Sequence, residues 1–126
     1  MTEVLKIPVG AQEGFMKMQE MQQQMQQINY QKETLRFQKI EAERALEEMK
    51  EINNDTEVFK AVGPILIKST KIELEKELKE KIETAEVRIR KVEKEEEQIK
   101  EELTTIQNEL QKLLVPADDE KPQAAG

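Results

Sequence analysis

The chain has 126 residues and a formal net charge of −7 at pH 7, with 37% charged and 3% aromatic residues. This composition is typical of long helices rich in Glu, Lys, Leu and Arg, its length suits one small domain, and its charge argues against binding nucleic acid or anionic membranes. Because the chain has no Cys, disulfides and thiolate chemistry are excluded, which suits a reducing cytoplasm.

The N-terminal half is predicted to form one long helix behind a short arm. Pro8 and Gly10 favour an irregular arm over residues 1–10, and helix one is expected over residues 11–52. Apolar residues recur in steps of three and four, which predicts a coiled-coil seam. Its ten positions are Met18, Met21, Met25, Ile28, Lys32, Leu35, Lys39, Ala42, Leu46 and Met49, and only the two lysines are polar.

Residues 55–70 are predicted to form a β-hairpin. β-Branched and bulky residues favour strands at residues 58–62 and 65–68, and Gly63-Pro64 between them marks a turn. With a two-residue turn, one face of the ribbon carries Phe59, Ala61 and Leu66, and the other carries Val58, Val62, Ile65 and Ile67.

This hairpin is not expected to be stable alone. An isolated two-stranded hairpin is marginal in water, and apolar strands with open edges are templates for pairing. We therefore expect hairpins from several chains to assemble into an oligomeric β-barrel through these seven apolar residues. The alternative is a hairpin folded against its own helices.

Helix two is expected over residues 71–115. Thr70 and Glu73 have the spacing of a capping box at its start, and Pro116 ends it before a disordered tail over residues 116–126. Its seam positions are Leu78, Ile82, Ala85, Ile89, Val92, Glu96, Ile99, Leu103, Ile106, Leu110 and Leu113. The helices are each roughly 65 Å long, so a tight turn predicts an antiparallel two-helix coiled coil. Folding about the turn brings Lys32 and Glu96 to similar heights, as a polar pair that sets the register.

The far end of this coiled coil is a candidate binding tip. Helix one begins with a methionine-rich run, and methionine is unbranched and adapts to varied partners. The candidate residues are Phe15, Met16, Met18, Met21, Met25, Ile106, Leu110, Leu113, Leu114 and Val115. The alternative is that Met18, Met21 and Met25 are ordinary core residues of the seam.

The residues disfavour an enzyme. The chain has no His, no Cys and only four Gly, and no glycine-rich phosphate loop is visible. Carboxylates on helix two alternate with Lys on solvated faces, whereas a catalytic pair needs a dry pocket. We expect no catalytic residue, cofactor or metal site. No apolar run approaches the ~20 residues that a membrane span needs, and no secretory signal is visible near the start.

The stretch Glu57-Val58-Phe59-Lys60-Ala61-Val62-Gly63-Pro64-Ile65-Leu66-Ile67-Lys68, flanked by heptad helices of equal length, resembles a prefoldin subunit. The likeness covers residues 11–115. A single hairpin between the helices resembles the β class of archaeal type rather than the α class.

This resemblance implies a hexamer of two α and four β subunits whose hairpins form a double β-barrel with projecting coiled coils. It further implies an ATP-independent cytoplasmic chaperone that binds non-native polypeptides at the tips and delivers them to a group II chaperonin. The alternative function is a structural coiled-coil spacer or filament subunit without client binding.

Overall fold

The computed structural model describes residues 7–114. Its elements are α1 (Val9–Glu51), β1 (Val58–Val62), β2 (Ile65–Ser69) and α2 (Lys71–Leu114). This confirms the predicted fold class of two long helices joined by a β-hairpin. Neither helix in the described part of the chain is long and apolar enough to cross a membrane. Val115 and the predicted tail lie outside the described residues.

The chain divides into two compact units. The hairpin unit is Tyr30–Glu93, and the terminal unit is the described part of Met1–Asn29 and Lys94–Gly126. Each unit therefore holds one segment of α1 and one segment of α2.

α1 begins at Val9, inside the segment that the sequence predicted to be irregular. The Pro8 carbonyl accepts the first helical bond from the Gln12 N–H at 3.0 Å, and the Gln12 side chain donates to the Ile7 carbonyl at 3.2 Å. Proline is compatible with a helix start because the first turn leaves its N–H groups unpaired in any case. Proline here starts the helix instead of preventing it.

In the terminal unit the two helix segments pack antiparallel. A Cβ added to Gly10 would lie 3.4 Å from Leu113 Cδ1, and one added to Gly14 would lie 2.7 Å from Leu110 Cδ2. Later residues of α1 therefore face earlier residues of α2, as an antiparallel arrangement requires. The buried residues of this unit are Ala11, Ile28, Ile99, Ile106 and Leu110.

The hairpin unit is also antiparallel. Lys39 Nζ lies 3.4 Å from the Glu86 carboxylate, which explains how a lysine occupies a seam position. Lys71 Nζ donates to the Ile52 carbonyl at 2.8 Å and so joins the end of α1 to the start of α2. The buried residues here are Ala42, Ala85, Ile89 and Val92.

The predicted seams match the burial pattern. All ten predicted seam positions of α1 are half-buried or buried, and in α2 only Leu113 of the predicted seam is exposed. Glu96 is mostly covered, with its carboxylate 3.8 Å from Lys100 Nζ. The proposed pairing of Lys32 with Glu96 spans the two units and stays a prediction.

The start of α2 carries half of the predicted capping box. Thr70 Oγ1 accepts a hydrogen bond from the Glu73 backbone N–H at 3.2 Å, which satisfies one unpaired donor of the first turn. The Glu73 carboxylate accepts a hydrogen bond from Ser69 Oγ at 3.3 Å, whereas a full capping box would direct it to the Thr70 N–H.

Candidate interaction surfaces

The terminal unit is built on a small buried cluster. Ala11, Ile106 and Leu110 form it, and Met18 and Met21 pack against it while remaining half-buried. Small residues on α1 allow this packing, because an alanine at position 11 and glycines at positions 10 and 14 let α2 approach closely. The cluster fixes the neighbouring side chains relative to one another.

Apolar side chains beside this cluster remain exposed. Phe15, Met16, Leu113 and Leu114 have between 41% and 65% of their surface accessible. We call these four residues the terminal patch. All four lie on helix segments that pack against each other in this unit.

The predicted tip residues therefore fall into three groups. The terminal patch is exposed, Met18, Met21 and Met25 are half-buried, and Ile106 and Leu110 are buried beneath them. Val115 lies outside the described residues.

Sequence reasoning missed two further exposed residues of this unit, Ile7 and Val9. They went unnoticed because Pro8 and Gly10 argued for an irregular arm. The available signal was that proline is common at the first positions of a helix.

The hairpin is the second surface, and its turn agrees with the prediction. β1 and β2 pair antiparallel with Val62 opposite Ile65, so Gly63 and Pro64 form a two-residue loop. Gly63 has φ of +56°. A type I′ turn would need positive φ at both turn residues, which Pro64 cannot adopt, so the turn is of type II′. This turn matches the twist of the strands and requires glycine at its first position.

The register distributes the apolar residues over both faces of the ribbon. Ala61 pairs with Leu66 and Phe59 with Lys68 on one face, while Val62 pairs with Ile65 on the other. The five large apolar residues Phe59, Val62, Ile65, Leu66 and Ile67 are 43–71% exposed. The helices of the same chain therefore do not cover the hairpin.

Two ion pairs involve lysines of this exposed ribbon. Lys60 Nζ lies 2.9 Å from the Glu77 carboxylate and connects β1 to α2. Lys68 Nζ lies 3.3 Å from the Glu57 carboxylate and connects β2 to the residue preceding β1. Both pairs are largely solvated, so they orient the ribbon more than they stabilise it.

A groove open to solvent lies beside the seam of the hairpin unit. Its lining mixes apolar residues such as Ala42 and Leu78 with the charged residues Lys60, Glu77 and Arg88. Among residues 7–114 there is no buried polar side chain and no cluster of His, Cys, Asp or Glu placed to hold a metal ion. The two apolar surfaces are thus the candidate site.

Known proteins are similar to this chain in sequence and in architecture. The chain matches the family model described as prefoldin subunit over residues 12–117. It is 38% identical over 111 residues to prefoldin subunit beta of Archaeoglobus fulgidus, covering 88% of this chain and 96% of that protein. It is 40% identical over 93 residues to prefoldin subunit beta of Methanospirillum hungatei, covering 74% and 78%.

Solved structures are similar as well. The crystal structure of the prefoldin beta subunit from Thermococcus strain KS-1 matches with a TM-score of 0.79 and 35% identity, over 90% of this chain and 100% of that one. The beta2 subunit from the same strain matches with a TM-score of 0.65 over 71% of this chain, and its 24% identity supports the fold alone.

Proposed function

Because this chain belongs to the prefoldin family, in its beta class, we propose that it is an ATP-independent holdase subunit that binds non-native polypeptides through its terminal patch. The family consists of non-enzymatic chaperones whose subunits work in a complex with one another. Our proposal concerns the clients, the surface that binds them and the assembly of this particular chain.

The exposed terminal patch is the observation that supports client binding. Phe15, Met16, Leu113 and Leu114 present apolar surface to water on two packed helices. Burying apolar surface yields about 25 cal/mol per Å², so one patch gives a weak contact. Several copies of the patch on one complex add their contacts through effective concentration, and each contact releases separately. Binding and release of this kind require no nucleotide.

The exposed hairpin supports assembly. Its seven apolar residues, Val58, Phe59, Ala61, Val62, Ile65, Leu66 and Ile67, form the proposed subunit interface. We propose that four copies of this chain join two α subunits and that their hairpins close into β-barrels. Closure removes the open strand edges that make an exposed apolar ribbon prone to aggregation.

We propose that this protein is located in the cytoplasm and delivers the polypeptides that it binds to a group II chaperonin. The absence of Cys suits a reducing compartment. Delivery is tested by adding the chaperonin to a preformed complex with a labelled client and following transfer of the label by size-exclusion chromatography. Label that stays with the hexamer contradicts this step.

A triple variant tests the terminal patch. In the complex assembled with an α-type partner, Phe15→Gln, Met16→Gln and Leu114→Gln together should abolish most suppression of aggregation of reduced, denatured lysozyme, followed by light scattering. Glutamine keeps the helix propensity high, so the assembly should retain its mass.

The matched control replaces Ile72 and Val87, which are exposed on α2 in the hairpin unit, with glutamine. Suppression should be unchanged in that control. Full suppression by the triple variant contradicts the terminal-patch proposal. No suppression by the unmodified complex would favour the structural spacer instead.

A further inference from the structure

All four aromatic residues of this chain are exposed. They are Phe15, Tyr30, Phe37 and Phe59. Aromatic side chains usually dominate protein cores because each buries a large area. Phe15 and Phe59 belong to the two surfaces already described, but Tyr30 and Phe37 lie in the hairpin unit and belong to neither.

Tyr30 and Phe37 share one face of α1 with Ile40. Their spacings of seven and three residues place all three on the same side of a helix. They are 73%, 61% and 47% exposed, respectively. We call these three residues the α1 stripe. It points away from α2, because the seam positions of this segment lie on the opposite face of the helix.

Two polar residues, Glu33 and Thr34, lie next to Tyr30 on the side of Phe37. Thr34 Oγ1 donates a hydrogen bond to the Tyr30 carbonyl at 3.0 Å. The Thr34 hydroxyl donor is therefore satisfied by the helix backbone, whereas the Glu33 side chain is exposed to solvent.

The α1 stripe differs from the exposed apolar residues of α2. Ile72 and Val87 are also exposed, but they are fifteen positions apart in sequence. Around Ile72 the surface is lined by charged residues, Glu75, Lys76, Lys79, Glu80 and Glu83. Apolar residues scattered singly are normal on a surface, whereas three large apolar side chains that share one helix face within eleven residues are candidates for an interaction site.

Helix stability does not explain the stripe. Tyr, Phe and Ile have lower helix propensity than the charged residues and glutamines that fill the rest of the exposed α1 surface. Placed on a solvated face, they also reduce solubility. Their presence therefore points to a partner that covers them part of the time.

The size of the stripe indicates what kind of partner fits. Its three side chains expose on the order of 350 Å², since an aromatic side chain has about 200 Å² to bury. A stable subunit interface needs about 800 Å² from each partner. The stripe is thus too small for a permanent contact with a second copy of this chain.

The sequence pattern also argues against a partner helix. A coiled-coil contact needs apolar residues that continue over several heptads. Here Glu33 interrupts the stripe, and the next positions of the same face are Arg44 and Glu47. An extended, flexible segment with a few apolar side chains fits such a short surface better.

We propose that the α1 stripe is a second binding surface for non-native polypeptides, which takes aromatic and aliphatic side chains of an extended segment. The proposal rests on the chaperone function proposed above. A client bound at both the stripe and the terminal patch dissociates more slowly than a client bound at one, because the second contact is intramolecular.

Two glutamine variants test this proposal in the assembled complex. The stripe variant carries Tyr30→Gln, Phe37→Gln and Ile40→Gln, and the control carries Ile72→Gln and Val87→Gln. The probe is fluorescent, reduced and carboxymethylated α-lactalbumin, whose binding is measured by anisotropy. Because both proteins are acidic, electrostatic attraction does not contribute to this binding.

The stripe variant should weaken binding by about three- to tenfold, mainly through faster dissociation, and the control should match the unmodified complex. In addition, Phe37→p-benzoylphenylalanine should form a photo-crosslink to the bound probe, whereas Val87→p-benzoylphenylalanine should not. Circular dichroism and light scattering check that the fold and the mass are retained.

Each outcome separates this proposal from the terminal-patch proposal. Unchanged affinity of the stripe variant and no crosslink at position 37 overturn the stripe, even if the terminal-patch triple variant loses binding. Weaker binding of the stripe variant together with an unaffected terminal-patch variant supports the stripe and overturns the terminal patch. A fall in mass of the stripe variant makes the stripe a subunit interface and also overturns the proposal.

Discussion

Gly14 of α1 lies directly against Leu110 of α2. A Cβ at Gly14 would come within 2.7 Å of Leu110 Cδ2 and 3.1 Å of its Cγ. Leu110 is buried in the terminal unit, so it has little room to move aside. Gly10 faces the exposed Leu113 more loosely, at 3.4 Å. Two glycines in the same helix therefore have different roles.

Replacing Gly10 with alanine and replacing Gly14 with alanine should change the stability of the start of α1 in opposite directions. Gly10→Ala should stabilise the start of α1 by up to about 1 kcal/mol through reduced backbone entropy. Gly14→Ala should destabilise it by about 1 kcal/mol, because overpacking against Leu110 outweighs the gain in helix propensity. Hydrogen exchange of the first turns of α1 in the assembled complex measures both. Equal protection gains in the two variants would disprove the role of Gly14.

A charge on the hairpin should prevent assembly without unfolding the helices. Val62→Asp or Ile65→Asp places a carboxylate on a ribbon face that is exposed in the single chain. In the proposed barrel that face would be buried, and an unpaired charge there is costly. Light scattering should show that the full-size complex is lost. Circular dichroism should show that the helix content of the chain is unchanged. Asn54→Asp adds the same charge outside the strands and should leave the mass unchanged.

Removing the positive charge of Lys71 should destabilise the end of α1 and the start of α2, which this side chain connects. Lys71 is only 15% exposed at its side chain and lies 3.7 Å from the Glu75 carboxylate. Lys71→Met keeps the apolar stem but loses the hydrogen bond to Ile52, at a cost of about 1–2 kcal/mol. Hydrogen exchange at the end of α1 and the start of α2 should accelerate. The exposed Lys76→Met is the control, and equal acceleration there would contradict a specific role of Lys71.

The ion pair between strand and helix should contribute little to stability. Lys60 and Glu77 are both more than 40% exposed at their side chains. A double-mutant cycle with Lys60→Met and Glu77→Gln should give a coupling below about 1 kcal/mol.

Orientation of the hairpin should depend more strongly on this pair. Glu77→Lys should weaken assembly at low salt by repelling Lys60, and adding Lys60→Glu should restore it. Sedimentation at low and high salt measures both the loss and the recovery of assembly. Both should be smaller at high salt, because salt screens the charges. Assembly that is insensitive to the reversed charge would show that the pair does not orient the ribbon.

Many local features were predictable because neighbouring residues decide them. The seam residues of α1 were read from steps of three and four, since a regular helix turns such steps into one face. The two-residue turn followed from Gly63-Pro64, because few residue pairs fit a type II′ loop. The Thr70 cap was visible for the same reason, as its bond reaches only three residues along the chain.

Other features required contacts between distant parts of the chain. Leu113 was predicted both as the last seam position of α2 and as a residue of the binding tip, and only the structure shows that it is exposed. The start of α1 at Val9 was missed because the signals of Pro8 and Gly10 were ambiguous without a packing partner. The exposed stripe of Tyr30, Phe37 and Ile40 was not recognised, although none of the three belongs to the predicted seam.

The sequence by itself determined that two heptad helices flank an apolar hairpin, because helix periodicity and turn geometry are local properties. Only the tertiary structure decided which apolar residues remain in water and how closely Gly14 lies against Leu110. Those outcomes depend on how closely α2 approaches α1, at contacts such as that of Gly14 with Leu110, which are almost a hundred residues apart in the chain.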